Sequence, residues 1–296
     1  MDWLIASVSE LELYNLETAL SEWFFVISLA FLGLEFVRYA WRRTLNWRLF
    51  GDTVANFAVQ ALYLVVSVVL FFTFYVSTLS FFHQFAFFDI PTNGWSLVGL
   101  LFIADFAYYW EHRFSHRVAL AWATHSVHHS SPHYNMSVAY RFGPMDAFWP
   151  VFFHVPIVLM GFDPFAVIFA EAVVLLYQTW LHTEAIGKLP KAIEMVFNTP
   201  SHHRVHHGRN PEYLDKNYGG VLIVWDRMFG SFAEEEDKVD FGITRPINSM
   251  NPMVIFVSGF SRLWREFQRA KGMMARLSVL YLPPGSGDSG GGTQTR

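Results

Sequence analysis

The sequence predicts an all-α integral membrane protein. Its expected form is about four transmembrane helices, a helical hairpin among them, with a cytoplasmic helical cap that carries a histidine-rich dimetal site. Three observations predict it. Of 296 residues, 53% are apolar and only 16% charged, where an ordinary soluble domain is about a quarter charged. The apolar residues fall in long runs that are almost free of charge. The histidines fall in boxes: His125-x-x-His128-His129 and His203-x-x-His206-His207, with His112 and His116 ahead of them and His182 between.

Residues 1–21 hold Asp2, Glu10, Glu12 and Glu17 but no Lys or Arg, so they lack the basic start of a targeting peptide and none is expected. The first span is Trp23 to Tyr39, interrupted by Glu35 and followed by the basic stretch that ends at Arg48. Thr53 to Phe82 contains no charged residue, and about twenty residues suffice to cross a bilayer. Pro91-Thr92-Asn93-Gly94 is a turn. Trp95 to Trp110 is apolar except for Asp105, and nothing stops that helix continuing through Glu111, His112 and His116. Ala147 to Met160 and Phe165 to Leu181, joined by Gly161-Phe162-Asp163-Pro164, form the hairpin.

The expected domains are N-terminal transmembrane segments (1–97), a catalytic domain (98–234), a C-terminal basic segment (235–282) and a disordered Pro, Gly and Ser-rich tail (283–296). Met253 to Tyr281 suits a helix lying on the membrane surface.

Loop charges give the orientation. If each segment reverses direction, loops 1–22, 78–94 and 161–164 share a face with no Lys or Arg, and all 21 basic residues lie on the opposite face. The positive-inside rule makes that face cytoplasmic, in a bacterial inner membrane or the endoplasmic reticulum. All nine histidines fall on the same face. The net charge of −4 offers no broad basic surface for nucleic acid, and the absence of cysteine removes thiolate metal sites and thiol nucleophiles.

On a helix, H-x-x-H-H stacks three imidazoles on one face, a three-toothed grip. Neutral imidazoles at a water-poor face need partners for their ring nitrogens, and nine of them suit two metals with four or five each. Ligand type alone allows iron, zinc, copper or manganese. A dinuclear site facing hydrocarbon meets mainly unactivated C–H bonds, which points to two iron ions with O2 as co-substrate. Asp105, two helical turns before His112, is placed to hydrogen-bond the second nitrogen of a ligating histidine, with Asn217 and Asp226 in similar roles. Glu171 is expected to be a polar contact within the hairpin. His202 reads as an outer or surface residue, His133 stays open between ligand and structural roles, and His83 and His154 are expected to bind no metal.

Several motifs together resemble the fatty acid hydroxylase/sterol desaturase superfamily. They are Asp105-x-x-x-Tyr109-Trp110-x-His112-Arg113-x-x-His116, His125-x-x-His128-His129-Ser130-Ser131, Asn198 to Asn210, Asn217-Tyr218-Gly219-Gly220 and Trp225-Asp226-Arg227. The resemblance implies a di-iron centre at the cytoplasmic face of a four-helix transmembrane bundle, and hydroxylation or desaturation of a lipid with dioxygen. Tyr134-Asn135, Gln178-x-x-x-His182-Thr183-Glu184 and Phe241-Gly242-Ile243-Thr244-x-Pro246-Ile247-Asn248 resemble the alkylglycerol monooxygenase branch. That likeness implies an ether lipid substrate and tetrahydrobiopterin as reductant.

In the fatty acid 2-hydroxylase branch a histidine stands where this chain has Gln178, so an open metal position is expected there. The chain shows no haem or flavin domain, and the expected electron donor is external. A desaturase using the same di-iron site is the alternative. A non-enzymatic metal transporter would string its ligands along a membrane path, whereas these gather on one face.

Overall fold

The computed structural model describes residues 4–284. Among them every regular element is helical, and extended pairing is limited to isolated bridges such as Phe197 with Leu222 and Gly208 with Phe241. Helix α1 (Glu10–Trp41) opens with a reciprocal cap: Ser9 Oγ accepts from the Glu12 amide at 3.2 Å, and the Glu12 carboxylate accepts from the Ser9 amide at 2.8 Å. Helix α2 (Trp47–Leu70), capped by Asn46, runs through a π-helical turn at Phe71–Val76 into α3 (Ser77–His83).

These two rods, Glu10–Trp41 and Trp47–His83, are long and apolar enough to cross a membrane. In their most apolar windows only 17% and 6% of residues are buried, which separates them from the core helices of a soluble domain. Trp23, Val37, Val65 and Val69 point outward.

Helix α4 (Gly94–Arg117) starts at the expected turn and runs unbroken to the first histidine pair, whereas α5 (Ala119–His125) is short. The hairpin is α6 (Pro150–Leu159) and α7 (Pro164–Thr179). At 10 and 16 residues these helices reach about 15 and 24 Å, less than the roughly 30 Å of a bilayer core. Leu79, Leu100, Val158, Val167 and Ala170 form the core where α3, α4, α6 and α7 meet, and α1 packs along α7.

The N-terminal rods are packed into the same body as the histidine-bearing helices. Glu35 on α1, 1% exposed, accepts from the Met136 amide at 2.9 Å and from the Thr183 hydroxyl. On α2, Asp52 and Asn56 receive the buried Arg141 guanidinium at 3.3 and 2.6 Å.

After short helices α8 (Lys191–Val196), α9 (Pro200–His206) and α10 (Val224–Phe229), α11 (Pro252–Arg269) buries Ile255, Phe256, Gly259 and Leu263 against α2 and α5. It leaves Met253, Val254, Val257 and Trp264 outside. Helix α12 (Met273–Tyr281) follows, and all but the first two residues of the expected disordered tail lie outside the described residues.

The first histidine box corrects one expectation. It is not one helical face: α5 ends at His125, and His128–Ser130 forms a 3₁₀ turn.

Candidate metal centre

All nine singled-out histidines come together, in two groups. His112, His116, His125, His129 and His206 form one, and His128, His182, His203 and His207 the other; within each, the candidate ligand nitrogens lie within 4.8 Å of one another. The partition follows the sequence spacing. His112/His116, His125/His129 and His203/His207 are i, i+4 pairs, and each stays together. The remaining tooth of each box, His128 or His206, serves the opposite group: His206 by the roughly 100° step round α9 from His207, His128 through the 3₁₀ turn that follows α5. The expected three-toothed grip on one metal is thus a two-plus-one grip on two.

The hydrogen bonds fix which nitrogens carry protons. A carbonyl oxygen only accepts, so an Nδ1 facing one holds the proton and its Nε2 keeps the lone pair. Nδ1 of His112 donates to Tyr218 O (2.9 Å), His206 to Lys216 O (2.9 Å), His128 to Arg141 O (3.2 Å) and His182 to Gln178 O (3.0 Å). His128 Nε2 and His182 Nε2, both without protons, then face each other at 3.3 Å. His206 Nε2 and His207 Nε2 are buried with no hydrogen-bond partner among the described residues.

Protonating the rings does not relieve these contacts. Burial, and after it the neighbouring imidazoles, holds His125, His129, His203 and His207 well below the ordinary histidine value. Facing lone pairs away from water are costly unless a cation lies among them, and imidazole nitrogens in groups of four and five suit a transition metal.

One loop orients much of the first group. Asp215 and Asn217 both adopt positive φ, 59° and 57°, a conformation Asp and Asn tolerate better than most residues. Between and beyond them, the Lys216 and Tyr218 carbonyls meet His206 and His112, and Asp215 Oδ1 lies 3.8 Å from His116 Nδ1.

The three expected histidine partners hold this loop and touch no metal-candidate ring. Asp105 accepts from Val221 N (2.6 Å), Leu222 N (3.2 Å) and Trp225 Nε1 (2.8 Å), because the loop's bare amides reach its carboxylate before any imidazole does. Asp226 accepts from Tyr218 N, Gly219 N and Ser231 Oγ at 2.7–2.8 Å. Asn217 Nδ2 donates to His202 O and Ala233 O at 3.1 and 2.8 Å. A Cβ on Gly219 or Gly220 would stand 3.0 Å from Asp226 Oδ2 or 2.7 Å from Asp105 Oδ1. Asn-Tyr-Gly-Gly is therefore a loop shaped to accept two carboxylates.

His202 lies outside both groups, yet at 1% exposed it is not a surface residue; His83 and His133 also lie outside. His154 does meet possible ligands, in a third group with Glu111 and Glu171. Glu171 contacts His154 within the hairpin, as expected, and also accepts from Tyr75 beyond it. The sequence reading missed Asp215 and Arg141, which come near the site only through folding. A cavity of about 420 Å³ runs from His112, His125, His128 and His182 between aromatic and aliphatic walls that include Tyr63, Tyr108, Phe142, Ile168 and Leu175.

Residues 97–231 match the family described as fatty acid hydroxylase. By this match the segment is similar to fatty acid hydroxylase domains. It begins within α4 and takes in all nine histidines together with Asp105, Asn217 and Asp226. The chain is 43% identical over 203 residues to an alkylglycerol monooxygenase of Danio rerio, a match covering 68% of this chain and 45% of the relative. An alkylglycerol monooxygenase of Homo sapiens is 42% identical over 202 residues, with the same coverage. An ornithine lipid hydroxylase of Rhizobium tropici is 28% identical over 147 residues, 49% of this chain and 44% of the relative. The chain spans less than half the length of these relatives. No solved structure matches it.

Proposed function

We propose that the protein is a membrane-bound, dioxygen-dependent oxidoreductase that hydroxylates a C–H bond of a lipid at a pair of iron ions. The observation that carries this reading is the 3.3 Å approach of two unprotonated nitrogens, His128 Nε2 and His182 Nε2, inside a set of nine convergent imidazoles. The relatives' printed names, alkylglycerol monooxygenase and ornithine lipid hydroxylase, support a lipid substrate.

His112, His116, His125, His129 and His206 would hold one ion, and His128, His182, His203 and His207 the other. Iron there would supply the activation of dioxygen, with the overall balance RH + O2 + 2e⁻ + 2H⁺ giving ROH + H2O. The electrons come from an external donor, for which tetrahydrobiopterin is the candidate that the alkylglycerol monooxygenase likeness supports.

The chain's own contribution is orientation and shape. Backbone carbonyls keep the Nε2 lone pairs turned inward, and Asp105, Asn217 and Asp226 brace the loop that supplies two of them. The cavity brings a lipid chain to His112 and His125 of one group and His128 and His182 of the other. The second group has four imidazoles, and Gln178, a residue of the same cavity wall, spends its side-chain amide on Val174 O. This favours an open position on the side that faces substrate.

The two long apolar helices and the basic residues confined to one face support a multi-pass protein of about four membrane segments with this centre at the cytoplasmic side. Lipid profiling under ¹⁸O₂, with and without the protein, tests the function. One labelled oxygen in a lipid and two irons per chain are expected. A new double bond without label would make it a desaturase, and unchanged lipids would remove the reading.

A further inference from the structure

Helix α11 presents three different sides. Ile255, Gly259 and Leu263 form the side buried against α2 and α5. A Cβ on Gly259 would stand 1.8 Å from Ala123 O, so α11 is pressed backbone to backbone on α5 and the direction of its two outer sides is fixed. At about 100° per residue, Met253, Val257 and Trp264 fall on one outer side, all exposed. Arg262, Arg265 and Arg269 fall on the other, roughly a third of a turn away.

The stretch is also unbalanced in charge. Residues 245–284 hold six Lys or Arg and one acid, Glu266. Arg245 pairs with that acid at 3.3 Å, Arg262 donates to Arg245 O at 2.7 Å, and the Arg276 guanidinium lies 5.7 Å from the centre of the Phe267 ring. Arg265, Arg269 and Lys271 are exposed, with no ion pair or hydrogen bond to a described residue.

The depth of α11 is set by α2. Ile255 and Phe256 share a cluster with Ala55, Val59, Leu62 and Val66, which belong to the uncharged stretch from Thr53 to Phe82, where Val54 and Val65 face outward. The apolar side of α11 therefore continues the surface by which this rod meets lipid. Trp264 and Phe267 stack at 5.6 Å toward the basic end, and amphipathic aromatic rings such as Trp settle at the headgroup level. Helix α12 buries no residue and exposes Met273, Met274 and Leu277. At its end, Leu282 O accepts from the Ala119 amide that starts α5, at 3.2 Å.

Resting on the membrane placement proposed above, we infer that α11 and α12 form a contact for acidic phospholipids. Their apolar side sits in the cytoplasmic leaflet, and Arg265, Arg269 and Lys271 take the headgroup phosphates. A zwitterionic headgroup brings its own cation and offers these side chains no net attraction, whereas an acidic one supplies the charge that the protein lacks here. A second copy of the chain is the poorer occupant, because a two-fold contact would set the same cations against each other. Since both helices hold α5, which ends at His125, the contact also anchors the helix that leads into the first histidine box.

Hydrogen exchange of the full chain in lipid nanodiscs tests this without turnover. Amides of residues 264–277 are expected to exchange at least about tenfold more slowly when about a third of the phosphatidylcholine is replaced by phosphatidylglycerol, since each cation is worth roughly fivefold at an anionic surface. Salt at about 0.5 M should close the gap, because the screening length is then only a few ångströms. Arg265→Gln, Arg269→Gln and Lys271→Gln combined should abolish it, whereas Arg265→Lys with Arg269→Lys should keep it, both at the wild-type melting temperature.

Equal exchange in the two lipids would overturn the inference, as would a difference that survives in the triple variant. Two chains per disc, with residues 253–264 protected alike in both lipids, would assign the face to a second copy instead. A chain that enters neither disc would bring down the membrane placement and this contact with it.

Discussion

His206 shows at a single residue how little freedom the site leaves. Its Nδ1 proton goes to Lys216 O, and its buried Nε2 has no hydrogen-bond partner among the described residues. His206→Ala should weaken the hold of the five-histidine group on its ion, taking the metal content below that of the wild type by elemental analysis. Turnover should fall by more than the roughly 10 to 100-fold typical of losing an outer-sphere partner, with membrane insertion unchanged. Full metal content in that variant would remove His206 from the ligand set.

Asp226 is different, because it acts through the loop. Asp226→Ala leaves two amides and the Ser231 hydroxyl without their shared acceptor, each worth about 1–3 kcal/mol when buried. A lower melting temperature is expected, together with metal affinity reduced about 10 to 100-fold at the His112 group and largely spared at the other.

At the level of elements, the identity of the boxes and the start of α4 could be read from spacing and from the Pro-Thr-Asn-Gly turn, since both are local signals. What spacing did not show is that each box divides between two groups. That depends on how α4, α5 and α9 face one another, and an i+3 tooth looks the same in either arrangement. The buried Asp52–Arg141 pair was equally hidden, being 89 residues apart in the chain. Arg141 also donates to Val127 O (2.9 Å) and Ser130 Oγ (2.8 Å), and its own carbonyl receives His128 Nδ1. Asp52→Ala would strand a guanidinium that is 1% exposed, a change that costs about 3–5 kcal/mol. The expected result is a large drop in unfolding temperature together with loss of metal from the four-histidine group, and Asp52→Asn should recover part of both by keeping a hydrogen-bonding side chain.

Across the whole molecule, composition and loop charge were legible because a bilayer constrains every residue that faces it, while the cavity required the packed structure. The fold also does work on the histidines before any metal arrives. Burial and neighbouring rings keep His125, His128, His129, His203, His206 and His207 well below the ordinary value, which is about 6.5. Below that pH the unfolded chain binds protons that the folded chain refuses. Stability of the metal-free protein is therefore full above about 6.5 and is lost as pH falls toward the depressed folded values. Each histidine contributes at most about 1.4 kcal/mol per pH unit in that window. Melting of the chelated protein should accordingly shift down between about pH 8 and about pH 5.5. Metal affinity of the folded state should behave otherwise, because no proton has to leave rings that are already neutral. Titrations with ferrous ion at about pH 7.5 and about pH 6, either side of the free imidazole value, are expected to give midpoints within about threefold. A tenfold or greater loss of affinity at the lower pH would mean that these imidazoles titrate like exposed ones and that the fold does not hold them ready for a metal.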